Sequence, residues 1–169
     1  IKNLVTGELL QEVIPLTTGG ATWANDNKTI FYSKKDEQTL RSNQIYKHIL
    51  GEDATQDENI FTEEDETYNA FVYKTKSKKY IVIGSSSTLS SEYQILDADT
   101  PNQKFKIFQP RERGLEYSIA HYETSFYIVT NKDGATNFKL MKTPQDNTTK
   151  DNWVDEIAHR ENVLLEDIE

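Results

Sequence analysis

Hydrophobic and polar residues alternate along most of this chain in short runs, and the runs recur three times at similar spacing. Alternation with a period of two is typical of β-strands that bury one face. Each recurrence predicts four strands, at 21–23, 29–32, 44–46 and 59–61, then 69–73, 80–83, 93–96 and 106–108, then 116–119, 126–129, 138–141 and 155–157. Taking Phe61, Phe108 and Ile157 as equivalent positions gives steps of 47 and 49 residues.

Tandem units of four short antiparallel strands predict a β-propeller, whose blades bury their faces only against neighbouring blades. We therefore expect an all-β fold, a partial β-propeller of about three four-stranded antiparallel blades at 20–62, 68–109 and 115–158. A β-sandwich would show similar turn spacing without needing the recurrence at blade length, so the propeller is favoured. The region 152–165 could also hold a short helix, but a strand is the preferred interpretation.

Both ends of the chain resemble parts of further blades. Two strands, 1–5 and 9–14, are predicted around a Thr6-Gly7 turn, because glycine adopts the positive φ of a tight hairpin at little cost. This pair would end a preceding blade, and 163–169 would begin the next one. We therefore expect an excerpt of a longer propeller.

Composition narrows the classes of function. The chain has 169 residues, of which 36% are hydrophobic, as expected for strands with one buried face. Its net charge is -9, which disfavours a nucleic-acid surface, because phosphate contacts need clustered Lys and Arg, and favours cationic ligands. The sequence contains no cysteine, which excludes disulfides and cysteine-ligated metals. No apolar run has the length of a membrane span, and we expect a cytoplasmic location.

The sequence offers few candidates for catalysis. The stretch 84–88 approaches the Gly-x-Ser-x-Gly pattern of hydrolases but lacks its second glycine, so it is interpreted as a strand end of small residues. His48, His121 and His159 occupy dissimilar repeat positions and lack the spacing of zinc ligands.

A calcium loop is a second weak candidate. Asp53, Thr55, Asp57 and Glu64 stand at its first, third, fifth and twelfth positions, but Glu58 replaces the glycine required at the sixth and no helices flank the loop. The acidic run 63–66 is interpreted as a solvated loop.

Aromatic residues recur with the repeat and are interpreted as core between blades, namely Trp23, Tyr46, Tyr73, Tyr93, Tyr117 and Tyr127. From the residues alone, we assign no catalytic, cofactor-binding or metal-binding residue.

The order of several short motifs resembles a known family. They include Gln44-Ile45-Tyr46-Lys47-His48, Asp65-Glu66-Thr67-Tyr68, Lys79-Tyr80-Ile81-Val82-Ile83, Gln109-Pro110-Arg111-Glu112-Arg113, Glu116-Tyr117-Ser118 and His159-Arg160-Glu161-Asn162-Val163. Over essentially its whole length, the chain resembles the propeller domain of the oligopeptidase B (protease II) branch of the prolyl oligopeptidase family of serine peptidases. Leu115 departs from the histidine that relatives usually have there, and Ser90-Ser91-Glu92 departs from the common Thr-Ser-Glu.

The resemblance implies a two-domain enzyme that hydrolyses short peptides after Arg or Lys. A C-terminal α/β-hydrolase domain in the same parent chain would carry the Ser, Asp and His, and the propeller would cover the active site as a gate and scaffold. No residue of that triad maps onto this chain. Two alternatives remain: the propeller of a proline-specific oligopeptidase, and a free-standing propeller that binds a protein or sugar. We also expect the isolated chain to self-associate, because a part-ring exposes two blade faces.

Overall fold

The computed structural model describes residues 1–168, which contain twelve β-strands in three antiparallel four-stranded sheets. The first sheet contains β1 (Thr17–Trp23), β2 (Thr29–Lys35), β3 (Ser42–Ile49) and β4 (Glu58–Thr62). The second contains β5 (Asn69–Lys74), β6 (Tyr80–Ser86), β7 (Ser91–Asp97) and β8 (Lys106–Gln109). The third contains β9 (Tyr117–Tyr122), β10 (Ser125–Thr130), β11 (Lys139–Pro144) and β12 (Val154–Ile157). The predicted all-β partial propeller is confirmed, as is the final strand within 152–165.

Turn chemistry separates the strands as the sequence predicts. In the β1–β2 turn, the Asp26 carboxylate accepts hydrogen bonds from the backbone N–H groups of Lys28 and Thr29, each at 2.9 Å. Asn27 adopts a φ of 56°, a left-handed conformation that asparagine tolerates better than most residues. This turn ends β1 and aligns β2 for antiparallel pairing.

The last strand of each sheet carries a bulge at the same place. The unpaired residue is Ile60 in β4, Phe108 in β8 and Glu156 in β12. The residue numbers of the three bulges differ by 48 each time, so Phe108 corresponds to Ile60 and Glu156. The equivalence of Phe108 with Phe61 and Ile157 that the sequence predicts is therefore wrong by one residue. Bulges increase local twist, and this one recurs as part of the repeat unit.

Two apolar cores lie between the three sheets. The first sheet meets the second in a cluster that includes Phe31, Ile45 and Leu96. The second meets the third around Val82, Tyr93, Phe108, Tyr117, Ile119, Phe126, Ile128, Met141 and Trp153. Along β6, Ile81 and Ile83 face the first core while Val82 faces the second, so the middle sheet is buried on both sides. Each fully buried aliphatic side chain contributes about 2 kcal/mol, which makes these interfaces the main source of stability.

The predicted terminal strands are not formed. Residues 1–14 contain a single antiparallel bridge, between Lys2 and Leu9, although Gly7 does make the expected turn with a φ of 77°. Leu4 and Val5 are almost fully exposed. The prediction of two strands is wrong because a two-stranded ribbon without a third strand or a covering face has too little apolar burial to be stable. At the other end, 160–168 contain one bridge and no strand, and residue 169 lies outside the described residues.

Within residues 1–168, helical structure is limited to three short 3-10 turns, Ala54–Gln56, Lys132–Gly134 and Lys150–Asn152. Across residues 1–168, no helix has the length and apolar character that crossing a bilayer would require.

Candidate functional site

The serine of the incomplete hydrolase pattern lies inside a strand. Ser85 is 2% exposed within β6, and its hydroxyl donates a hydrogen bond to the Glu63 carboxylate and accepts one from Arg111 at 3.2 Å. Gly84, beside it, is required by packing, because a Cβ there would lie 2.3 Å from the Phe71 ring. A nucleophile elbow instead places its serine on an exposed turn between strand and helix.

Glu63 and Ser85, which are buried, and Arg111, which is partly buried, form a polar cluster where the linkers between the sheets meet. Arg111 donates hydrogen bonds through both terminal nitrogens to the Glu63 carboxylate, and its guanidinium lies 3.7 Å from the centre of the Tyr68 ring. Glu63 is 5% exposed, so the expectation that 63–66 is a solvated loop is wrong for its first residue, while Glu64 to Glu66 are exposed. The expectation failed because sequence neighbours alone do not reveal the distant arginine.

The cluster keeps the Glu63 carboxylate ionised. Burial alone would raise its pKa, but hydrogen bonds from Arg111, Ser85 and the Asp65 backbone N–H outweigh this effect and hold the pKa below its ordinary value. The pair joins the β4–β5 linker, which contains Glu63, to the β8–β9 linker, which contains Arg111. It therefore fixes the relative position of consecutive sheets.

Arg41 holds the same β4–β5 linker from the first sheet. Its guanidinium donates hydrogen bonds to the backbone carbonyls of Glu63, Asp65 and Tyr68 at 2.7 to 3.0 Å. These three carbonyls lie outside the strand ladders, and the arginine satisfies them.

A second polar cluster lies on the face of the first sheet that points away from the second sheet. His48 is fully buried, and its Nδ1 lies 2.7 Å from Oδ1 of Asp57. The Tyr32 hydroxyl donates to the other oxygen of Asp57 at 2.8 Å. Burial, and then this hydrogen bond, raise the pKa of Tyr32 well above its ordinary value. Because both oxygens of Asp57 are engaged by Tyr32 and His48, Asp57 does not act as the calcium ligand that its position in the loop pattern suggests.

The remaining calcium-loop candidates also have local roles or point outward. Asp53 caps the 3-10 turn by accepting a hydrogen bond from the Thr55 backbone N–H at 2.9 Å, and Glu64 is exposed. Among residues 1–168, no group of three or more His, Cys, Asp or Glu side chains is arranged to hold a metal ion.

The structure does not bring the three histidines together. His121 lies in β9 against the rings of Tyr80 and Phe126, and its Nδ1 is 2.9 Å from the Ser77 hydroxyl. Burial lowers the pKa of His121, so its ring is neutral near pH 7. His159 follows β12 and accepts a hydrogen bond from the Asn137 backbone N–H at 3.3 Å.

The recurring aromatic residues divide into two groups. Tyr93 and Tyr117 are buried between the second and third sheets, and Tyr73 packs against them, as the sequence predicts for interblade core. Burial raises the pKa of Tyr93 to about 12. Tyr46 and Tyr127 are instead half-buried, with the ammonium group of Lys34 over the Tyr46 ring and that of Lys142 over the Tyr127 ring. Trp23 lines a cavity on the outer side of the first sheet.

Sequence reasoning missed Glu63 and Arg111 as partners, although a signal was present. Their numbers differ by 48, which is the structural repeat length, so they occupy the same position in consecutive linkers with opposite charges. Leu115, noted as a departure from the family pattern, is buried in the second core, where it supplies apolar packing.

Comparison with known proteins identifies relatives over the full chain. Residues 1–169 match the family model described as prolyl oligopeptidase, N-terminal beta-propeller domain. The chain is 39% identical over 168 residues to dipeptidyl aminopeptidase BI of Pseudoxanthomonas mexicana, covering 99% of this chain and 23% of that protein. It is 38% identical over 158 residues to protease 2 of Moraxella lacunata, covering 92% of this chain and 23% of that protein.

Solved structures agree with the sequence comparison. Oligopeptidase B from Leishmania major superposes with a TM-score of 0.87 at 30% identity, covering 98% of this chain and 23% of that one. Oligopeptidase B from Trypanosoma brucei, with covalently bound antipain in a closed form, gives a TM-score of 0.81 at 27% identity, covering 89% of this chain and 21% of that one. The chain thus spans about a quarter of the length of these relatives. It belongs to the prolyl oligopeptidase family, within the N-terminal β-propeller domain.

Proposed function

We propose that this chain is a non-catalytic part of the propeller of a serine oligopeptidase, where it acts as scaffold and gate for short peptides. The observation that carries the proposal is the packing of three equivalent sheets through two apolar cores, together with the family match over residues 1–169. Sheets joined in this way move little relative to one another, so they suit a rigid wall that narrows access to a site elsewhere. The catalytic partner would be a C-terminal α/β-hydrolase domain of the same parent chain.

We further propose that the parent enzyme cleaves after Arg or Lys. Similarity to proteins named protease 2 and oligopeptidase B supports this branch, and the identity to structures of prolyl endopeptidases is lower, at 18%. The peptidase names of the relatives disfavour a free-standing propeller that binds a protein or sugar. Assignment of 1–14 and 163–169 to adjoining blades, and the cytoplasmic location, stay predictions.

The name of one relative favours a second candidate. The 39% identity to dipeptidyl aminopeptidase BI supports an enzyme that removes dipeptides from the amino end of a substrate. An assay of the full-length protein separates the candidates. It uses peptides with a blocked or a free amino end, in which Arg, Lys or Pro precedes the bond to be cleaved. Cleavage of blocked Arg and Lys peptides supports the first proposal. Cleavage restricted to peptides with free amino ends supports the second, and cleavage of blocked peptides after Pro alone contradicts both.

The acidic surplus gives the propeller a second role in our proposal, the attraction of cationic peptides. The chain carries a net charge of -9, and long-range attraction of this kind is screened by salt. In the full-length protein, kcat/KM for an Arg peptide should fall several-fold as ionic strength rises from about 0.01 to 0.15 M. Two peptides with the same cleaved Arg, one carrying a further lysine and one carrying glutamine at that position, control for general salt effects. Equal salt dependence of these two substrates contradicts the proposal.

A further inference from the structure

One position of the repeat recurs four times in the chain at steps of 48 residues, as Glu12, Ile60, Phe108 and Glu156. The last three are the bulged residues of β4, β8 and β12. Ile60 packs into the core between the first and second sheets, and Phe108 lies in the core between the second and third. In both of these sheets, the residue at this position therefore faces the sheet that follows.

Glu12 makes the corresponding contact with the first sheet. Its carboxylate accepts a hydrogen bond from the Gly51 backbone N–H, and its other oxygen lies 4.0 Å from Nε2 of His48. His48 precedes Leu96 by 48 residues, and Leu96 belongs to the core into which Ile60 packs. Glu12 therefore meets the first sheet in the way that Ile60 meets the second, with a carboxylate in place of an apolar side chain.

The cover that residues 1–15 give to the first sheet is incomplete. Within residues 1–168, the bond between Glu12 and Gly51 is the one hydrogen bond that joins this segment to the rest of the chain. The second oxygen of Glu12 and Nε2 of His48 are both buried without a hydrogen-bond partner. A cavity of about 250 Å3 remains between the segment and strands β1 and β2. Unfilled contacts of this kind cost stability, so a surface that fits better can replace the segment.

Glu156 carries the same carboxylate on the outer face of the third sheet, the face that points away from the second sheet. The equivalent bulged residues of the first two sheets point to the sheet that follows, which assigns Glu156 to this outer face. Lys142, another residue of this face, lies within electrostatic reach of Glu156. Glu156 is exposed, as are Tyr122 and Val154 of the same face. This face therefore combines an accessible carboxylate with exposed apolar side chains.

We propose that the outer face of the third sheet docks on the outer face of the first sheet of a second copy of this chain, with Glu156 in the place of Glu12. Glu156 then accepts the hydrogen bond from the backbone N–H of the second copy's Gly51, and the second copy's residues 1–15 are displaced. A paired sheet presents its side chains in fixed rows, so it can fill the cavity that a segment without strands leaves open.

The proposed contact joins two different faces, so it is heterologous and each pair of chains keeps one face of each kind for a further copy. Residues 1–15 compete for the first sheet from their own tether, so association needs a high protein concentration. The alternative is an isologous contact between two third sheets, which would leave the bond between Glu12 and Gly51 intact in both copies. The two arrangements therefore place Glu156 beside different residues.

Crosslinking of the 169-residue chain distinguishes the two arrangements, because the sequence contains no cysteine of its own. Glu156→Cys and Glu52→Cys each introduce one thiol at an exposed position, the second directly after Gly51. One variant carries an affinity tag, so that pairs of unlike chains have a distinct mass. With a short bismaleimide, the mixture should give pairs of unlike chains, and neither variant alone should crosslink. Glu64→Cys replaces Glu156→Cys as the matched control, because Glu64 is an exposed acid of the β4–β5 linker, and it should give no pairs.

Exchange of one carboxylate for another also predicts opposite effects of two substitutions on self-association. Glu12→Ala removes the competing carboxylate and should lower the dissociation constant about tenfold, as expected for one charge-assisted hydrogen bond. Glu156→Ala removes the docking carboxylate and should raise the constant by a similar factor. Glu8→Ala is the matched control for the loss of a negative charge, because Glu8 is an exposed acid of the same segment as Glu12. Sedimentation velocity over a range of concentrations measures all four chains.

Three outcomes overturn the proposal. Crosslinks between two Glu156→Cys chains, without crosslinks from Glu156→Cys to Glu52→Cys, indicate the isologous contact. A mixture that gives no crosslinked pairs at high concentration shows that the two faces do not meet. A dissociation constant that Glu12→Ala leaves equal to that of Glu8→Ala shows that no carboxylate is exchanged.

Discussion

Glu63 illustrates how one carboxylate connects distant parts of this chain. It binds Arg111, 48 positions away, and also the hydroxyl of Ser85 in the middle sheet. Arg111 is itself only about a quarter exposed, so neither charge can fully regain water if the other is removed. Removing one partner therefore costs more than the pair contributes in net stability.

Glu63→Gln should lower the free energy of unfolding by about 2 kcal/mol, because Arg111 then lies partly buried without its counter-charge. Urea denaturation followed by circular dichroism measures the change. Glu64→Gln is the matched control, since Glu64 is the exposed neighbour and should change stability by less than about 0.5 kcal/mol. Equal stability of the two variants would contradict the role assigned to Glu63.

The same carboxylate predicts a pH dependence. The pKa of Glu63 is lower in the folded chain than its ordinary value, despite burial, because Arg111, Ser85 and the Asp65 N–H bind the ionised form. Its contribution is therefore present above the ordinary glutamate pKa and is lost as pH falls through the lowered one. The stability difference between wild type and Glu63→Gln should be full at pH 7 and shrink in acid. A difference that grows towards low pH would show that the sign is wrong.

At the scale of elements, the middle sheet is the most constrained part of the fold. Its strand β6 is buried on both faces, and Gly84 lies directly under the ring of Phe71. That ring in turn contacts Tyr73 and Tyr93, which belong to the core facing the third sheet. Any atom added at Gly84 must displace this aromatic row.

Gly84→Ala should destabilise the chain by about 1 to 3 kcal/mol, the usual cost of overpacking a filled core. The reason is the 2.3 Å separation between the added Cβ and the Phe71 ring. Gly20→Ala is the matched control in β1, because its Cβ would meet Thr18 and Ser33 at ordinary distances of 3.5 and 3.6 Å. Thermal unfolding of both variants provides the comparison, and a neutral Gly84→Ala would mean that Phe71 moves freely.

At the scale of the whole molecule, the three sheets leave one broad face uncovered. The third sheet buries Tyr117, Ile119 and Phe126 against the second, while Tyr122 and Val154 on its other face are 62% and 61% exposed. Exposed apolar surface on a regular sheet invites a second copy of the chain.

We predict that the 169-residue chain self-associates through this face. Sedimentation velocity should show a dimer or larger species at high concentration, and Tyr122→Lys should shift the population towards monomer by introducing a charge. Leu89→Lys is the matched control, because Leu89 is 60% exposed in the β6–β7 loop, away from this face. A single monomeric species at all concentrations would refute the prediction.

The pattern of hydrophobic residues by itself determined the strands, their order and the repeat, because alternation and turn residues act over a few positions. It placed Ile30, Ile81 and Phe126 in equivalent strands, and all three are buried. It could not decide which strands at the ends would form, because a strand needs neighbours to bury its face. It also could not show that Glu63 meets Arg111. That pairing depends on how successive sheets stack, and stacking brings together residues that are far apart in the chain.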